Sequence, residues 1–448
     1  MRFITKILNS LGIDGAILYT IFARVIQASG GIITVFLIAK FLSKEEQGFY
    51  YTFVSVLAIQ IFFELGLGGI LTQFVAHEMA HIQLENNTFK GEQKHISRLV
   101  SILHFSMKWY TIFAFLLIIA LILGGGFFFY KNTQGIEHIH WRLPWLIVSV
   151  FGGLNLLISP IMAILQGMHK VKEMAKLTFI QQIVVMLISC LSLILGAKLY
   201  LVAINLMMNF FILLLLYSFS GHLKLLYKLS KYKVIEKINY WKEIFPYQWK
   251  IALSWASGYF IFQALNPIVF SFYGPIIAGQ VGMTITILNG ILALVISWTS
   301  TKVPQWSSFI AKKEFNELDN SVTYTIKKST LVAFLGITAA TILIGGLQYF
   351  KLDLGNRFLP VELALILLMI IPINNVINIY SAALRSFKKE PFLFVALTVG
   401  LFSLVQVYLS AKYFSLNILI IGYFLVFALI SLPLNLFVYK KKKKEYYE

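Results

Sequence analysis

Residues 47–75 read QGFYYTFVSVLAIQIFFELGLGGILTQFV and carry one charged side chain, Glu64. A helix of roughly 20 mostly apolar residues is long enough to cross the hydrocarbon core of a bilayer, so this stretch predicts a transmembrane helix. Similar stretches recur along the whole chain of 448 residues. They predict about twelve spans, at 16–40, 47–75, 106–129, 142–167, 174–196, 199–220, 247–273, 276–302, 325–348, 359–386, 391–411 and 416–439.

The composition agrees with a membrane protein. Hydrophobic residues make up 58% of the chain, against about 45–50% apolar residues in soluble domains. We therefore predict an all-α integral membrane protein of about twelve transmembrane helices. So many spans leave little sequence for a soluble catalytic domain.

The formal net charge of +19 is unevenly distributed. Most of the 38 lysine and arginine residues fall in every second gap between the predicted spans. This bias follows the positive-inside rule and predicts that both termini are cytoplasmic. It also argues against nucleic acid as the partner. The basic run at 440–444 is expected either to flank the last span as a stop-transfer signal or to contact anionic lipid headgroups.

The most basic polar segment, 221–246, divides the predicted spans six and six. We therefore predict an N-terminal lobe at 1–220, a cytoplasmic connector at 221–246 and a C-terminal lobe at 247–448. Two short echoes support a repeat: LSKEEQGFYYTF with YGPIIAGQVGMT, which equates Gly48 with Gly279, and LQGMHK with LRSFKK. Six spans restore the starting side, so the repeats are parallel, as in many transporters.

Two glycine runs lie within predicted spans. GLGG occupies 66–69 and GGG occupies 124–126. Small residues let membrane helices approach closely, so both runs predict close helix packing.

The sequence HEMAH at 77–81 matches H-E-x-x-H, in which two histidines bind zinc and the glutamate acts as a general base. A catalytic zinc needs a third protein ligand, and no later predicted span contains an aspartate. The alternative is a helix end whose His77 and Glu78 lie at the headgroups, and we favour it. We accordingly predict no metal site and no cofactor.

Other enzyme signatures are absent from the sequence. It contains no G-x-x-x-x-G-K-[ST] phosphate loop and no G-x-S-x-G nucleophile elbow. The single cysteine, Cys190, excludes a multi-cysteine metal cluster. We therefore predict that the protein is not an enzyme and has no catalytic residues.

Ionisable side chains inside a span are costly and usually face a partner or a water-filled cavity. Arg24 in the first span and Glu64 in the second are predicted to lie at similar depth on neighbouring antiparallel helices. Gln27 lies one turn from Arg24 on the same face. The pair is either a structural ion pair or a cationic site for an anionic substrate with Glu64 as counter-ion or proton carrier.

Amide side chains occur in the predicted spans of both halves. Each one alone is explained by hydrogen bonding between helices, whereas their number suggests a hydrated cavity suited to sugar hydroxyls. The candidates for substrate binding are Asn155, Gln181, Gln263, Asn266, Asn289, Asn374 and Asn378.

Three longer runs resemble a known family. They are LSKEEQGFYYTF followed by FFELGLGGILTQFVAHE, LQGMHKVKE after the fourth span, and PYQWKIALSWASGYFIFQALNPIVFSFYGPIIAGQVGMT. The chain resembles the polysaccharide translocases of the MATE-like flippase superfamily, the O-antigen flippase type, over nearly its whole length.

This resemblance implies a two-lobed transporter that works by alternating access. Its substrate would be a polyprenyl-pyrophosphate-linked oligosaccharide, moved from the cytoplasmic to the outer leaflet of a bacterial inner membrane for lipopolysaccharide or other surface polysaccharide biosynthesis. Arg24, helped by Lys250, would contact the pyrophosphate. The expected partners are the lipid-linked oligosaccharide, membrane lipids, a polysaccharide polymerase and glycosyltransferases.

Two other functions stay open. The first is an ion-coupled multidrug exporter of the same superfamily, which Glu64 favours because such exporters use acidic pockets. The second is a membrane-embedded polysaccharide polymerase, which the short predicted outer loops disfavour.

Overall fold

A computed structural model describes residues 30–448 except 32, 86, 87, 137 and 388. The described part is almost wholly helical, which confirms the predicted all-α membrane fold. The first helices are α1 (33–41), α2 (Lys44–Leu57), α3 (Leu67–Met79), α4 (Gln93–Asn132), α5 (Arg142–Gly167), α6 (Val171–Ile194), α7 (Tyr200–Phe219) and α8 (His222–Ser230).

The later helices are α9 (Phe245–Phe262), α10 (Leu265–Ala311), α11 (Phe315–Tyr349), α12 (Val361–Leu368), α13 (Ile370–Arg385), α14 (Leu393–Tyr413), α15 (Leu416–Leu425) and α16 (Leu432–Tyr447). Between α3 and α4, strands β1 (Ile82–Glu85) and β2 (Thr88–Gly91) form an antiparallel hairpin. Short turns complete the fold: 3-10 turns at Ala58–Gln60 and Gly355–Arg357, a single α turn at Ile61–Glu64, and π turns at Leu121–Gly125, Tyr240–Ile244 and Val426–Ser431.

Within the described residues, nine helical stretches are long and apolar enough to cross a membrane. The bent pair Lys44–Glu64 and Leu67–Met79 is a tenth if it is counted as one span. The stretch Tyr240–Ala311 contains two predicted spans, and Gly274, with φ 81°, interrupts it between them. Most of the predicted span 16–40 lies outside the described residues, so the number twelve stays a prediction.

The described chain forms two compact units. One unit comprises Ile59–Ala252, and the other comprises Gly31–Ala58 together with Leu253–Glu448. The predicted N-terminal lobe, 1–220, assigned residues 31–58 to the first half, whereas their contacts group them with the second unit.

Inside the first unit, two glycines allow helices to approach closely. A Cβ at Gly167 would lie 2.7 Å from the Thr72 carbonyl oxygen, and a Cβ at Gly125 would lie 2.3 Å from the Trp145 ring. In the π turn that contains Gly125, the Leu121 carbonyl accepts a backbone hydrogen bond from the Gly126 N–H and a further one, at 2.9 Å, from Trp145 Nε1. The predicted close packing is thus confirmed for Gly125, whereas a Cβ at Gly124 or Gly126 would meet no atom within 4 Å.

At GLGG a Cβ at Gly69 would meet no atom within 4 Å, so close packing is not seen at that glycine, and the run breaks the helix. Gly66 has φ 67° and the preceding Leu65 has φ 52°, so the chain leaves the helix there and α3 starts at the next residue. The two halves of the span meet at 41°. Glycine adopts this left-handed conformation without steric cost.

Inside the second unit, α2 and α10 pack at two glycines. A Cβ at Gly48 would lie 1.9 Å from the Pro275 carbonyl oxygen, and a Cβ at Gly279 would lie 3.0 Å from the Gly48 nitrogen. Beside them, the rings of Phe49 and Phe270 meet edge to face at 5.1 Å. The two glycines that the sequence echo equates are therefore in contact.

The residues SKEE start α2 with a capping box. Ser43 Oγ accepts a hydrogen bond from the Glu46 backbone N–H at 3.1 Å, and Glu46 Oε2 accepts one from the Ser43 N–H at 2.8 Å. These bonds satisfy backbone donors that a helix start leaves free.

We expect Gly48→Ala to lower the thermal stability of the purified protein clearly, because the added methyl group overlaps a backbone oxygen that cannot move freely. Gly290→Ala in α10 is the matched control, since a Cβ there meets no atom within 4 Å. Melting temperatures in detergent measure the difference. Equal melting temperatures for the two variants would contradict the close packing.

Candidate functional site

A cavity of about 240 Å³ lies within the second unit. Its apolar wall includes Phe262, Leu292, Phe392 and Phe427. Its polar lining consists of Ser254, Asn374, Asn378, Ser381, Arg385, Ser431 and Asn435. A mostly apolar cavity with a few polar groups is the usual form of a small-molecule site.

One face of α13 supplies most of these polar groups. Asn374, Asn378, Ser381 and Arg385 follow the spacing i, i+4, i+7 and i+11, which places them in one stripe along a helix. Pro372 lies in the first turn of α13, where its missing N–H costs no helical hydrogen bond. Pro372 is therefore compatible with the start of this helix, and the helix places a stripe of polar side chains along the cavity.

The amides of Asn374 and Asn378 make no hydrogen bond with any residue in the described part of the chain. The neighbouring Asn375 differs, because its Nδ2 donates to Ser329 Oγ at 2.8 Å and to Thr330 Oγ1 at 3.2 Å. The helix thus has one amide that binds a neighbouring helix and two that are available to a ligand.

Arg385 lies at one end of the stripe. Its Nε and Nη2 donate to Glu390 at 2.7 and 3.1 Å, in a bidentate ion pair. An arginine has five N–H donors, so this pair leaves donors for another oxygen. Among the described residues that line the cavity, Arg385 is the one with a charged side chain.

Besides the cavity of the second unit, Glu64 in the first unit is a second candidate functional feature. It lies directly before the break at Leu65 and Gly66, at the positive N-terminal end of α3. A methyl group at Gly68 would lie 3.2 Å from Glu64 Oε1 and 3.8 Å from the Tyr110 hydroxyl. Among the described residues, no basic nitrogen lies within 4.0 Å of this carboxylate. The predicted partner Arg24, with Gln27, lies outside the described residues.

Asn155 and Gln181 belong to a chain of amides within the first unit. Asn155 Nδ2 donates to the carbonyl oxygens of Phe151 and Leu206 at 2.7 and 2.9 Å. Asn209 Nδ2 donates to Asn155 Oδ1 at 2.6 Å, and Gln181 Nε2 donates to Asn209 Oδ1. These bonds tie α5, α6 and α7 together.

None of the other predicted site residues in the described chain lines the cavity of the second unit. Asn266 is only 2% exposed, and its amide lies 3.1 Å from Thr52 Oγ1 at the contact of α2 and α10. Gln263 is half-buried at the turn between α9 and α10, and Asn289 is exposed on α10. Lys250 is exposed, with its Nζ 5.7 Å from the centre of the Trp249 ring.

HEMAH lacks the geometry of a zinc protease motif. Helix α3 ends at Met79, so His81 lies in a turn rather than on the helix face with His77. Glu78 is 2% exposed and ion-paired to Arg98 Nε at 2.9 Å. Arg98 Nη2 also binds Glu243 Oε2 at 2.6 Å. The carboxylate that would act as the base is therefore engaged in a structural network.

Some residues of these sites were not predicted from the sequence. The helical spacing from Asn374 was a signal that could have identified Ser381 and Arg385. Asn435 lies on α16 and Asn209 on α7, and no local pattern connects either of them to its neighbours in space. The partners of Glu78 are likewise distant in sequence.

Comparisons with solved structures agree with this fold. One match is the inward-facing conformation of a multidrug resistance MATE family transporter of the MOP superfamily, with 12% identity, a TM-score of 0.68 and coverage of 95% of this chain and 99% of that chain. Another is the MATE multidrug transporter DinF-BH, solved as a complex, with 12% identity, a TM-score of 0.61 and coverage of 99% of this chain and 97% of that chain.

A third match is a MOP superfamily transporter from Pyrococcus furiosus, described as having a binding pocket of reversed polarity that suggests a different function. It shares 12% identity, with a TM-score of 0.60 and coverage of 96% of this chain and 95% of that chain. At this identity the likeness shows the fold alone. The protein is thus a multi-pass membrane protein with the fold of a MATE transporter.

The sequence profile of the family described as polysaccharide biosynthesis protein matches residues 15–297, more than half of the chain. The chain belongs to this family. A comparison with functionally curated proteins finds no significant match. Family and fold together support a transporter or flippase role in polysaccharide biosynthesis.

We expect Arg98→Ala to destabilise the protein by about 3–5 kcal/mol, because it leaves the buried Glu78 without its cationic partner. The matched control is Lys90→Ala, which breaks an exposed 2.6 Å pair with Glu85 and should cost about 1 kcal/mol or less. Denaturation in detergent measures both.

Adding Glu78→Gln to Arg98→Ala should restore much of the lost stability, because the buried charge is then removed as well. Equal small losses for the Arg98 and Lys90 variants would contradict a structural role for this network.

Proposed function

We propose that this protein is a flippase for a polyprenyl-pyrophosphate-linked oligosaccharide. It moves the lipid-linked glycan from the cytoplasmic to the outer leaflet of a bacterial inner membrane by alternating access, for surface polysaccharide biosynthesis. In this proposal both termini are cytoplasmic. The glycan is assembled by glycosyltransferases on the inner side and passed to a polymerase on the outer side.

The cavity of the second unit is the observation that carries this proposal. Its free amides at Asn374 and Asn378 can donate to and accept from sugar hydroxyls. The guanidinium of Arg385 can bind phosphate oxygens at the end of the same stripe. A neutral polar stripe with a cation at its end suits a neutral glycan joined to a pyrophosphate better than it suits a cationic drug.

The apolar wall of the cavity has a separate function in the proposal. Sugar rings have apolar faces that pack on aromatic and aliphatic side chains, while their hydroxyls need hydrogen-bond partners. The membrane potential or an ion gradient would drive the cycle, since the sequence contains no phosphate loop for ATP.

Ion-coupled drug export is the second candidate, and Glu64 is the observation that favours it. A carboxylate beside a break in a membrane helix, near the buried Tyr110 hydroxyl, is suited to carrying a proton or holding a cation. Two of the matching structures are described as multidrug transporters.

We expect Asn378→Leu and Asn374→Leu to reduce glycan export in a flippase-deficient strain, because each removes an amide that faces the cavity. Asn320→Leu is the matched control, since this amide is exposed at the start of α11. Export of surface glycan, measured at equal protein level, should fall several-fold for the first two variants and stay unchanged for the control. Normal export by both cavity variants would contradict a glycan site there.

Arg385 tests the phosphate contact. A hydrogen bond to a charged group contributes about 1.5–3 kcal/mol, so Arg385→Ala should lower export by about tenfold or more. Glu390→Gln leaves the guanidinium in place and should retain export. If both variants lose export equally, the ion pair itself is what matters, and the phosphate contact is refuted.

Arg24 is a second proposed phosphate contact, and Arg24→Ala should also abolish export while Arg24→Lys retains part of it.

Drug susceptibility separates the two candidate functions. Loss of resistance to cationic drugs by Glu64→Gln, with normal glycan export, would favour the exporter.

A further inference from the structure

The hairpin between α3 and α4 brings two ligand-type side chains together. Ile82 pairs with Gly91 in the antiparallel register, so His81 before the first strand lies beside Glu92 after the second. The pairing depends on glycine: Gly91 has φ 149°, and a Cβ there would lie 2.4 Å from the His81 carbonyl oxygen. The backbone thus places an imidazole beside a carboxylate at the open end of the hairpin.

A third group comes from the first turn of α4. Glu92 is the N-cap of this helix, and His95 lies three residues further, on the same face. His95 Nε2 is 3.6 Å from Glu92 Oε2, and its ring stacks on the His81 ring with centroids 4.1 Å apart. One ligand atom from each of His81, Glu92 and His95 lies within 4.8 Å of the other two.

A buried carboxylate orients His95. Glu78 Oε2 lies 2.6 Å from His95 Nδ1, and Glu78 is 2% exposed. The hydrogen bond occupies Nδ1 and leaves Nε2 directed at Glu92. Arg98 in turn holds Glu78 through Nε at 2.9 Å. This is the arrangement by which metalloproteins fix the tautomer and direction of a metal-binding histidine, through a carboxylate on its other nitrogen.

We propose that His81, Glu92 and His95 bind a divalent transition metal such as Zn²⁺, with water completing the coordination. Imidazole nitrogen and carboxylate oxygen are ordinary zinc ligands, and a site with three protein ligands keeps one position open. Tetrahedral zinc needs ligand atoms about 3.4 Å apart, so the exposed His81 and Glu92 side chains need to move by roughly 1 Å.

This site differs from the one that H-E-x-x-H would form. His77 is not part of it, because its ring nitrogens do not lie within 4.8 Å of the ligand atoms of all three residues. In the proposed site, Glu78 hydrogen-bonds the ligand His95 and does not act as a base beside the metal. The site joins the end of α3, the hairpin and the start of α4, so the bound metal stabilises this connection.

The full-length protein, purified with an affinity tag that contains no histidine, tests the proposal. Titration with ZnCl₂ in detergent, followed by calorimetry, should show one site per chain and a rise in melting temperature. His81→Ala, Glu92→Ala and His95→Ala should each weaken zinc binding at least tenfold. His77→Ala is the matched control and should bind zinc as the parent protein does.

Glu78→Gln tests the positioning carboxylate. It keeps all three ligands, and we expect an affinity about 10–100-fold lower. Absence of stoichiometric zinc binding to the parent protein would overturn the proposal, as would unchanged binding by both His81→Ala and Glu92→Ala. Because these two side chains are exposed, their removal should leave the zinc-free melting temperature unchanged. Loss of binding by His77→Ala together with His81→Ala, but not by His95→Ala, would indicate the H-E-x-x-H site instead.

Discussion

Hydrocarbon provides no hydrogen-bond partners for a peptide backbone, so each departure from helix inside a span must be compensated within the protein. The structure shows several such compensations. At the π turn Leu121–Gly125, the Leu121 carbonyl keeps a backbone hydrogen bond from the Gly126 N–H and also accepts one from the Trp145 indole at 2.9 Å. Where the second span breaks, the Leu65 N–H still bonds the Ile61 carbonyl at 3.1 Å. At both irregular positions, the backbone groups named here therefore find hydrogen-bond partners within the protein.

The same constraint separates two kinds of amide. Asn155 Nδ2 donates to two backbone carbonyls, and Asn155 Oδ1 accepts a hydrogen bond from Asn209. Asn155 therefore holds helices of the first unit together. Asn374 and Asn378 face the cavity of the second unit and have no described partner. All three occur in equally apolar stretches of sequence. Sequence reasoning selected them as one group, and it had no means of separating packing amides from available ones.

The segment around Glu78 shows how a short motif can mislead. Residues 77–81 match a zinc signature, yet the carboxylate is buried and paired with Arg98, about twenty positions away in sequence. The histidine that Glu78 orients is His95, which the motif does not contain. A pattern defined on one helix requires that helix to continue, and α3 ends at Met79 before the second histidine.

Local sequence was enough to establish the membrane class and most helix positions, because these depend on hydrophobic length. It equated Gly48 with Gly279 as repeat positions, whereas only the structure shows that they are in contact. Glu64 was likewise identified as unusual from its setting alone. Three-dimensional packing determined the other features: the break before α3, the grouping of residues 31–58 with the second half, and the cavity that joins Arg385 to Asn435. These features depend on contacts between residues far apart in the chain, and apolar periodicity along one helix carries no information about which helix will pack against it.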